Sequence, residues 1–206
     1  MEEGILTIKK RGAILSITMK TVKPQKRSQN NMKKVLTIDL QERSYGIVIE
    51  NGVLSHVGDQ LKKLKLSKKI GVVTNPTVGR LYAKPVMESL QSVGFSPVQF
   101  AVPDGEAYKS LESARDLYKK LLKEHFDRDS ALVALGGGVI GDLTGFVAAT
   151  FLRGIPFIQV PTSLESQVDA SVGGKVAVDL PEGKAGSRKS VIVRDPDGHA
   201  VQIVEQ

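Results

Sequence analysis

The chain has 206 residues, 41% of them hydrophobic, with no cysteine and a formal net charge of +7. That length suits one domain with an appendage, and the missing cysteines exclude disulfides and thiolate metal sites, which suits a cytoplasmic protein. No apolar run reaches the ~18 residues of a membrane span and no signal-peptide core is present, so no membrane association is expected.

The charge is uneven. Residues 1–34 hold nine Lys/Arg against two Asp/Glu, and the remainder holds twenty of each. The balanced part shows no basic face, so a solvated arm is expected and no nucleic-acid partner. Residues 1–31 read as a basic, disordered extension, above all residues 23–31 with their Pro, Gln, Asn and basic side chains. Residues 13–19 are apolar and β-compatible, which makes an extra strand the competing expectation. Glu2 and Glu3 argue against a transit peptide.

Two strand-like runs, residues 35–40 and 45–50, flank the polar Gln41-Glu42-Arg43-Ser44 and read as a hairpin. Leu54, Val57, Leu61 and Leu64 recur at helical spacing ahead of a strand at residues 70–74, where the pattern becomes α/β. Asn75-Pro76 closes that strand and starts a helix over residues 78–93, because proline at the first helical position loses no hydrogen bond. Gly94 ends it. The strand at residues 98–102 delivers Asp104-Gly105-Glu106-Ala107-Tyr108-Lys109 to its carboxyl end, where ligands of open α/β sheets bind. Asp-Gly is equally an ordinary turn. Residues 111–126 form a helix with Leu117, Leu121 and Leu122 on its apolar side, and His125 is a surface or capping residue.

The apolar run at residues 131–135 then breaks on Gly136-Gly137-Gly138 and restarts with helical spacing through Val139-Ile140-Gly141-Asp142. This reads as strand, tight turn, helix. Glycines there let a phosphate approach the backbone, where the unpaired N–H groups of the first helical turn face an anion. The letters satisfy G-x-G-x-x-G, yet the acidic residue usual ~20 residues on is missing from Pro156-Phe157-Ile158-Gln159-Val160-Pro161. By itself the run fits either a nucleotide site or a turn built for close strand–helix packing.

The helix continues to Phe151, with Gly145, Ala148 and Ala149 against the sheet. Arg153 follows, a cation favourable at any helix C-terminus. A short strand at residues 157–160 leads to Thr162-Ser163, where Ser163 is a natural N-cap and the hydroxyl pair can equally bond a nucleotide. Asp169 and Lys175 would make an ordinary ion pair on a surface, while beside a nucleotide the lysine can orient a carboxamide or carboxylate and the aspartate can anchor a hydroxyl undergoing oxidation. Residues 190–205 are two strands around Asp195-Pro196-Asp197-Gly198. His56, His125 and His199 show no i,i+3 or i,i+4 pairing, so none reads as a metal ligand.

In this order and at these spacings, Asp104-Gly-Glu106-Ala-Tyr-Lys109, the glycine stretch, Arg153-Gly154, Thr162-Ser163 and Gln167-Val-Asp169-Ala-Ser-Val-Gly173-Gly174-Lys175 resemble the 3-dehydroquinate synthase family over residues 32–184. The resemblance implies an NAD-binding α/β domain, a mixed sheet flanked by helices. It implies a lyase of the shikimate pathway that performs NAD-assisted phosphate elimination and cyclisation of a sugar-acid phosphate, 3-deoxy-D-arabino-heptulosonate 7-phosphate. It places Asn75, Asp104, Glu106, Lys109, Gly137, Gly138, Val139, Ile140, Gly141, Asp142, Thr162 and Ser163 around the cofactor, with Lys175 and Lys184 beside both cofactor and substrate. Asp169, Lys175, Lys184 and Arg153 fall on the catalytic side, Arg153 reaching a substrate phosphate across the interface of a homodimer.

After Lys184 the family continues with Asn and a helical domain whose Glu and two His hold a divalent zinc or cobalt ion. Here Ala185 takes the Asn place and the metal ligands are expected to be absent, which makes a truncated form inactive alone. A related sugar-phosphate cyclase and a non-catalytic NAD-binding remnant are the alternatives. Residues 185–206 read as an unrelated β-hairpin tail resembling the end of glyoxalase-type (vicinal oxygen chelate) proteins, with Gln202 where those carry a metal-binding glutamate.

Overall fold

A computed structural model describes residues 3–9, 15–16, 33–39, 45–64, 66–172, 176–180, 190–194 and 200–205. Its centre is four parallel strands, β5 (Lys69–Thr74), β6 (Ser96–Ala101), β7 (Ala131–Gly136) and β8 (Phe157–Pro161), in the spatial order β8-β7-β5-β6. Every residue of β7 is buried, as a continuous apolar run in a doubly covered sheet requires.

Helices α1 (Val57–Lys62) and α2 (Pro76–Ser92) pack Leu61, Val86 and Leu90 on one face of the sheet, against Val72, Val133, Leu135 and Ile158. Helices α3 (Leu111–Lys123) and α4 (Gly138–Thr150) pack Leu117, Leu121, Leu143 and Val147 on the other, against Val73, Leu132, Ala134 and Phe157. Successive strand residues alternate between the two clusters, as the period of two demands. Each fully buried leucine contributes about 1.5–3 kcal/mol.

The helix ends follow local chemistry. Asn75 caps α2, its Oδ1 accepting from the Val78 N–H at 2.9 Å, with Pro76 in the first turn. Ser110 caps α3 through the Ser113 N–H at 3.3 Å. The α3 helix stops at Lys123, and His125 takes the left-handed conformation at φ 55° that ends many helices. Leu122, expected on the apolar side, is 59% exposed. It lies about 100° around the helix from Leu121, which fills the inward position four residues after Leu117.

The margins of the sheet differ more from expectation. The hairpin β3 (Lys33–Ile38) and β4 (Tyr45–Asn51) forms as read. Within the arm, however, β1 (Glu3–Lys9) and β2 (Leu15–Ser16) are strands. β1 pairs antiparallel with β4, from Glu3↔Asn51 to Leu6↔Val48, and with β8, from Thr7↔Gln159 to Lys9↔Phe157. It joins the hairpin to the parallel sheet, so the expectation of disorder fails for these segments. Open backbone edges on β4 and β8 recruit any β-compatible segment that can reach them.

A further strand, β9 (Val176–Leu180), was not read from the sequence. Its Val176 and Val178 join the core cluster under α4. In the tail, β10 (Ser190–Arg194) pairs antiparallel with β11 (Ala200–Glu205), and β11 pairs parallel with β9 from Val201↔Val176 to Glu205↔Leu180. The tail therefore shares a three-stranded sheet with the domain it follows.

Candidate functional site

The connection from β5 through α2 to β6 covers one face of the sheet, and those through α3 and α4 cover the other. The direction of winding changes between β5 and β7, and the carboxyl edge at such a change is the usual ligand position in open α/β sheets. The register puts the strand ends side by side, Thr74 against both Ala101 and Leu135, and Gly136 against Pro161. Asn75, Asp104 to Lys109, Gly137 to Asp142, and Thr162 with Ser163 thus lie along a single edge.

The glycine turn has two sides. A Cβ added at Gly136 would stand 2.6 Å from the Ile140 Cβ, and one at Gly141 would stand 3.3 Å from Oε1 of the buried Gln159. These two glycines serve packing. At Gly138 the nearest atom of the described residues to an added Cβ is Ala170 Cβ, at 3.9 Å, an ordinary contact distance. No side chain caps α4, whose N-cap is Gly137. The N–H groups of Gly138, Val139 and Ile140 precede the first intrahelical donor, Gly141, and so have no acceptor within the helix. The Gly141 N–H is already bonded to the Gly137 carbonyl at 3.0 Å. Ile140 is buried, its side chain lying against Gly136, so only its backbone remains for a ligand.

The loop after β6 brings the charge. Thr77 Oγ1 in the first turn of α2 donates to Asp104 Oδ2 at 3.1 Å, which ties this exposed loop to the end of β5. Lys109 Nζ lies 2.5 Å from Glu106 Oε1 and 3.9 Å from Asp142 Oδ2. Burial opposes the Lys109 ammonium, but the hydrogen bond and charge of Glu106, with Asp142 and Asp179 behind it, hold its pKa above the ordinary lysine value. Burial pushes Asp142 up to about 7, Lys109 opposes the rise, and Glu106, Asp179 and Asp169 add to it.

Ser163 caps the helical turn that follows, as expected. Its Oγ accepts from the Ser166 N–H at 3.3 Å and lies 3.3 Å from where a Gly137 Cβ would be. The Thr162 N–H donates to the Gly136 carbonyl at 2.9 Å, closing the gap between β8 and β7. Asp169 is exposed in a single π-helical turn, Ser166–Ala170, an irregularity frequent at functional sites.

Arg153 is not brought to this edge. The 13 residues of α4 carry the chain about 20 Å to the opposite edge of the sheet. There Leu152 and Arg153 are both exposed with positive φ, 50° and 68°. Lys175 and Lys184 lie outside the described residues. Thr77 and Asp179 belong to the site although the sequence did not single them out. The Asp179 N–H donates to the Lys109 carbonyl at 2.7 Å. Neither carries a local signal, because each matters only through a loop distant in sequence.

An anionic nucleotide fits this donor set, with N–H groups that have no acceptor within the helix and a lysine one helical turn away. A metal does not. Among the described residues no three His, Cys, Asp or Glu side chains converge on a common point. Nor, among them, is any helix long and apolar enough to cross a membrane.

Known proteins resemble the chain over its central part. Residues 99–187 match the family described as 3-dehydroquinate synthase N-terminal. The chain is 53% identical over 149 residues to a 3-dehydroquinate synthase of Thermodesulfovibrio yellowstonii and 50% identical over 149 residues to that of Latilactobacillus sakei. Each alignment covers 72% of this chain and 42% of the relative, so the chain spans less than half the length of these relatives. The fold is shared with a 2-deoxy-scyllo-inosose synthase complexed with carbaglucose-6-phosphate, NAD+ and Co2+, at a TM-score of 0.65 and 24% identity over 73% of this chain and 41% of that one. It is shared also with a 2-epi-5-epi-valiolone synthase of Streptomyces hygroscopicus, with NAD+ and Zn2+ bound, at 0.57 and 20% over 75% of this chain and 40% of that one. The glycine turn and the strands on either side of it all fall within the matched residues, and this part of the chain is similar to the N-terminal part of 3-dehydroquinate synthases.

Proposed function

We propose that this chain is the NAD-binding part of a 3-dehydroquinate synthase, the phosphate-eliminating lyase that cyclises 3-deoxy-D-arabino-heptulosonate 7-phosphate. The observation that supports this best is the start of α4 at Gly137, with no side-chain cap among the described residues, at the same sheet edge as Lys109, whose Nζ lies 3.9 Å from Asp142 Oδ2. NAD would lie with its pyrophosphate on the N–H groups of Gly138 and Val139 and its ribose hydroxyls toward Asp104 and Glu106, which accept hydrogen bonds. When bound it supplies a hydride acceptor that also returns the hydride, which acidifies the proton to be lost without net oxidation.

The chain's own residues have positioning work. Asn75 and Thr77 hold the end of β5 and the Asp104 loop in place, Ser163 supports the turn, and Asp169 presents a carboxylate toward a substrate hydroxyl. Lys175 and Lys184 bind the substrate's acid groups in this reading. Arg153, on the far edge, serves a neighbouring subunit's substrate, which requires a homodimer. The location is cytoplasmic.

Among the described residues no group of three potential metal ligands comes together, and no step is assigned to a metal. The 206-residue chain assayed by itself is expected to release no phosphate from the sugar-acid phosphate. Calorimetry on the purified chain tests the cofactor assignment. A measurable heat of NAD binding that Gly138→Val abolishes is expected, and a folded sample giving no heat at millimolar NAD ends the reading.

A further inference from the structure

We propose that a groove on the outer side of β6, apart from the nucleotide edge, binds a small organic cation, an ammonium group carried on an apolar body. β6 is the last strand of its sheet. At its carboxyl end the strand, the loop at residues 103–110 and α3 bound a groove of about 440 Å³, a volume within the range of small-molecule sites. Neither Asn75, nor Lys109, nor any residue of the glycine turn lines it.

One part of the lining is apolar. Val102 and Leu117 are its buried residues, and Tyr108, also in the lining, is 39% exposed. An exposed aromatic ring can take an apolar body against it or a cation over its face. Tyr108 sits in a short helical turn, Glu106–Tyr108, in which its own N–H donates to the Gly105 carbonyl at 3.2 Å and the Lys109 N–H to the Glu106 carbonyl at 2.9 Å. The wall that carries the ring is therefore tied to itself.

The polar part of the lining settles the charge of the ligand. The Ser110 hydroxyl donates to Ser113 Oγ at 3.3 Å and also caps α3, so both serines are engaged. Lys120, the one cation in the lining, donates to the Ala101 carbonyl at 3.3 Å. There remain Glu112 and Asp116, which line the groove from positions i and i+4 of α3 and so are neighbours on one side of it. Asp116 holds Lys119 at 3.2 Å, but both side chains are largely exposed and such a pair is weak. Among the described residues no cation lies within ion-pair distance of Glu112. Two carboxylates at this spacing repel one another. An ammonium between them relieves that repulsion while its apolar body covers Val102, Leu117 and Tyr108, whereas an anion of the same shape would meet both carboxylates.

The test is a titration of the full chain with phenethylamine at neutral pH, followed by proton–nitrogen correlation NMR. Saturable shifts are expected at the amides of Val102, Tyr108 and Ser113. Phenethyl alcohol, the neutral analogue, should bind about fivefold more weakly, and the anion hydrocinnamate more weakly still. Glu112→Gln combined with Asp116→Asn, both exposed positions, should weaken phenethylamine by the same factor of about five. Shifts that fail to saturate at millimolar phenethylamine, or that fall elsewhere on the chain, overturn the site. Equal affinity for hydrocinnamate overturns the assigned charge, as does undiminished affinity in the double variant. Displacement of phenethylamine by NAD would put it at the nucleotide edge and overturn the separation of the two sites. A chain that binds phenethylamine in the groove and no NAD anywhere ends the nucleotide reading and leaves this proposal standing.

Discussion

The two ends of β7 make opposite use of their polar groups. At the amino end, Asp127 Oδ1 accepts from the Asp129 N–H, the Ser130 N–H and the Ser130 hydroxyl at 3.0, 2.8 and 2.7 Å, and the Asp129 carbonyl accepts from the Ser67 N–H at 2.8 Å. Lys69 donates to the Glu124 carbonyl. The loop is closed on itself. At the carboxyl end no side chain among the described residues caps α4, and three acids, Glu106, Asp142 and Asp179, act on one lysine, Lys109. An end that satisfies its own hydrogen bonds is built for stability, and an end that leaves helix donors without a capping acceptor is built for a ligand.

Breaking the packing side of the carboxyl end should have the largest effect. Gly136→Val places a side chain on Ile140, where even a Cβ would stand at 2.6 Å. We expect a loss of about 3 kcal/mol, near the upper range for overpacking, read from denaturant unfolding. A stable variant would mean that the turn is looser than drawn.

The contrast can be extended to β8, whose outer edge is held by the arm. Deleting residues 1–16 removes β1 and β2 and uncovers the edges of β4 and β8. We expect about 2 kcal/mol, or several degrees in Tm. An unchanged melting curve would return the arm to the status of a solvated tail.

Gly138→Val sharpens the comparison because it lies within two residues of Gly136, yet an added Cβ there meets only an ordinary contact among the described residues. Folding stability should change by under about 0.5 kcal/mol. NAD affinity should fall at least about tenfold, or 1.4 kcal/mol. Equal loss of stability in both valine variants would erase the distinction between the two sides of the turn.

The smallest effect is expected at the closed end. Asp127→Ala removes one acceptor from three donors and should cost about 1 kcal/mol at pH 7, with no change in NAD binding. Its hydrogen bonds from Ser130 and Asp129 hold the Asp127 carboxyl below the ordinary aspartate value. The stabilisation is therefore present above that ordinary value and lost as pH falls through the depressed one. Thermal melts from pH 7 downward should show the wild-type and variant curves converging in acid. A difference that grows in acid would contradict the sign.

Much of the candidate site was legible beforehand because its parts are local. A strand-length apolar run broken by glycines can only turn, Asn-Pro and Ser at helix starts cap by contact with residues three positions on, and Asp104 to Lys109 follows directly from a strand end. These properties act over a few residues, and side-chain chemistry with backbone sterics decides them. The same locality misled at Leu122, where a run of leucines hides which ones face inward.

By itself the sequence determined the order of elements from β3 to α4, the strand, turn and helix around the glycine run, and the resemblance to 3-dehydroquinate synthases. The tertiary structure decided which glycines are packed too tightly for a Cβ and which are not, that β1 bridges β4 and β8, that the tail strands continue β9, that Arg153 stands on the far edge, and that Asp142 and Asp179 share Lys109 with Glu106. Each of these is a contact between residues far apart in sequence. No local periodicity encodes such a contact, because its free energy depends on the surface and charge that folding brings together.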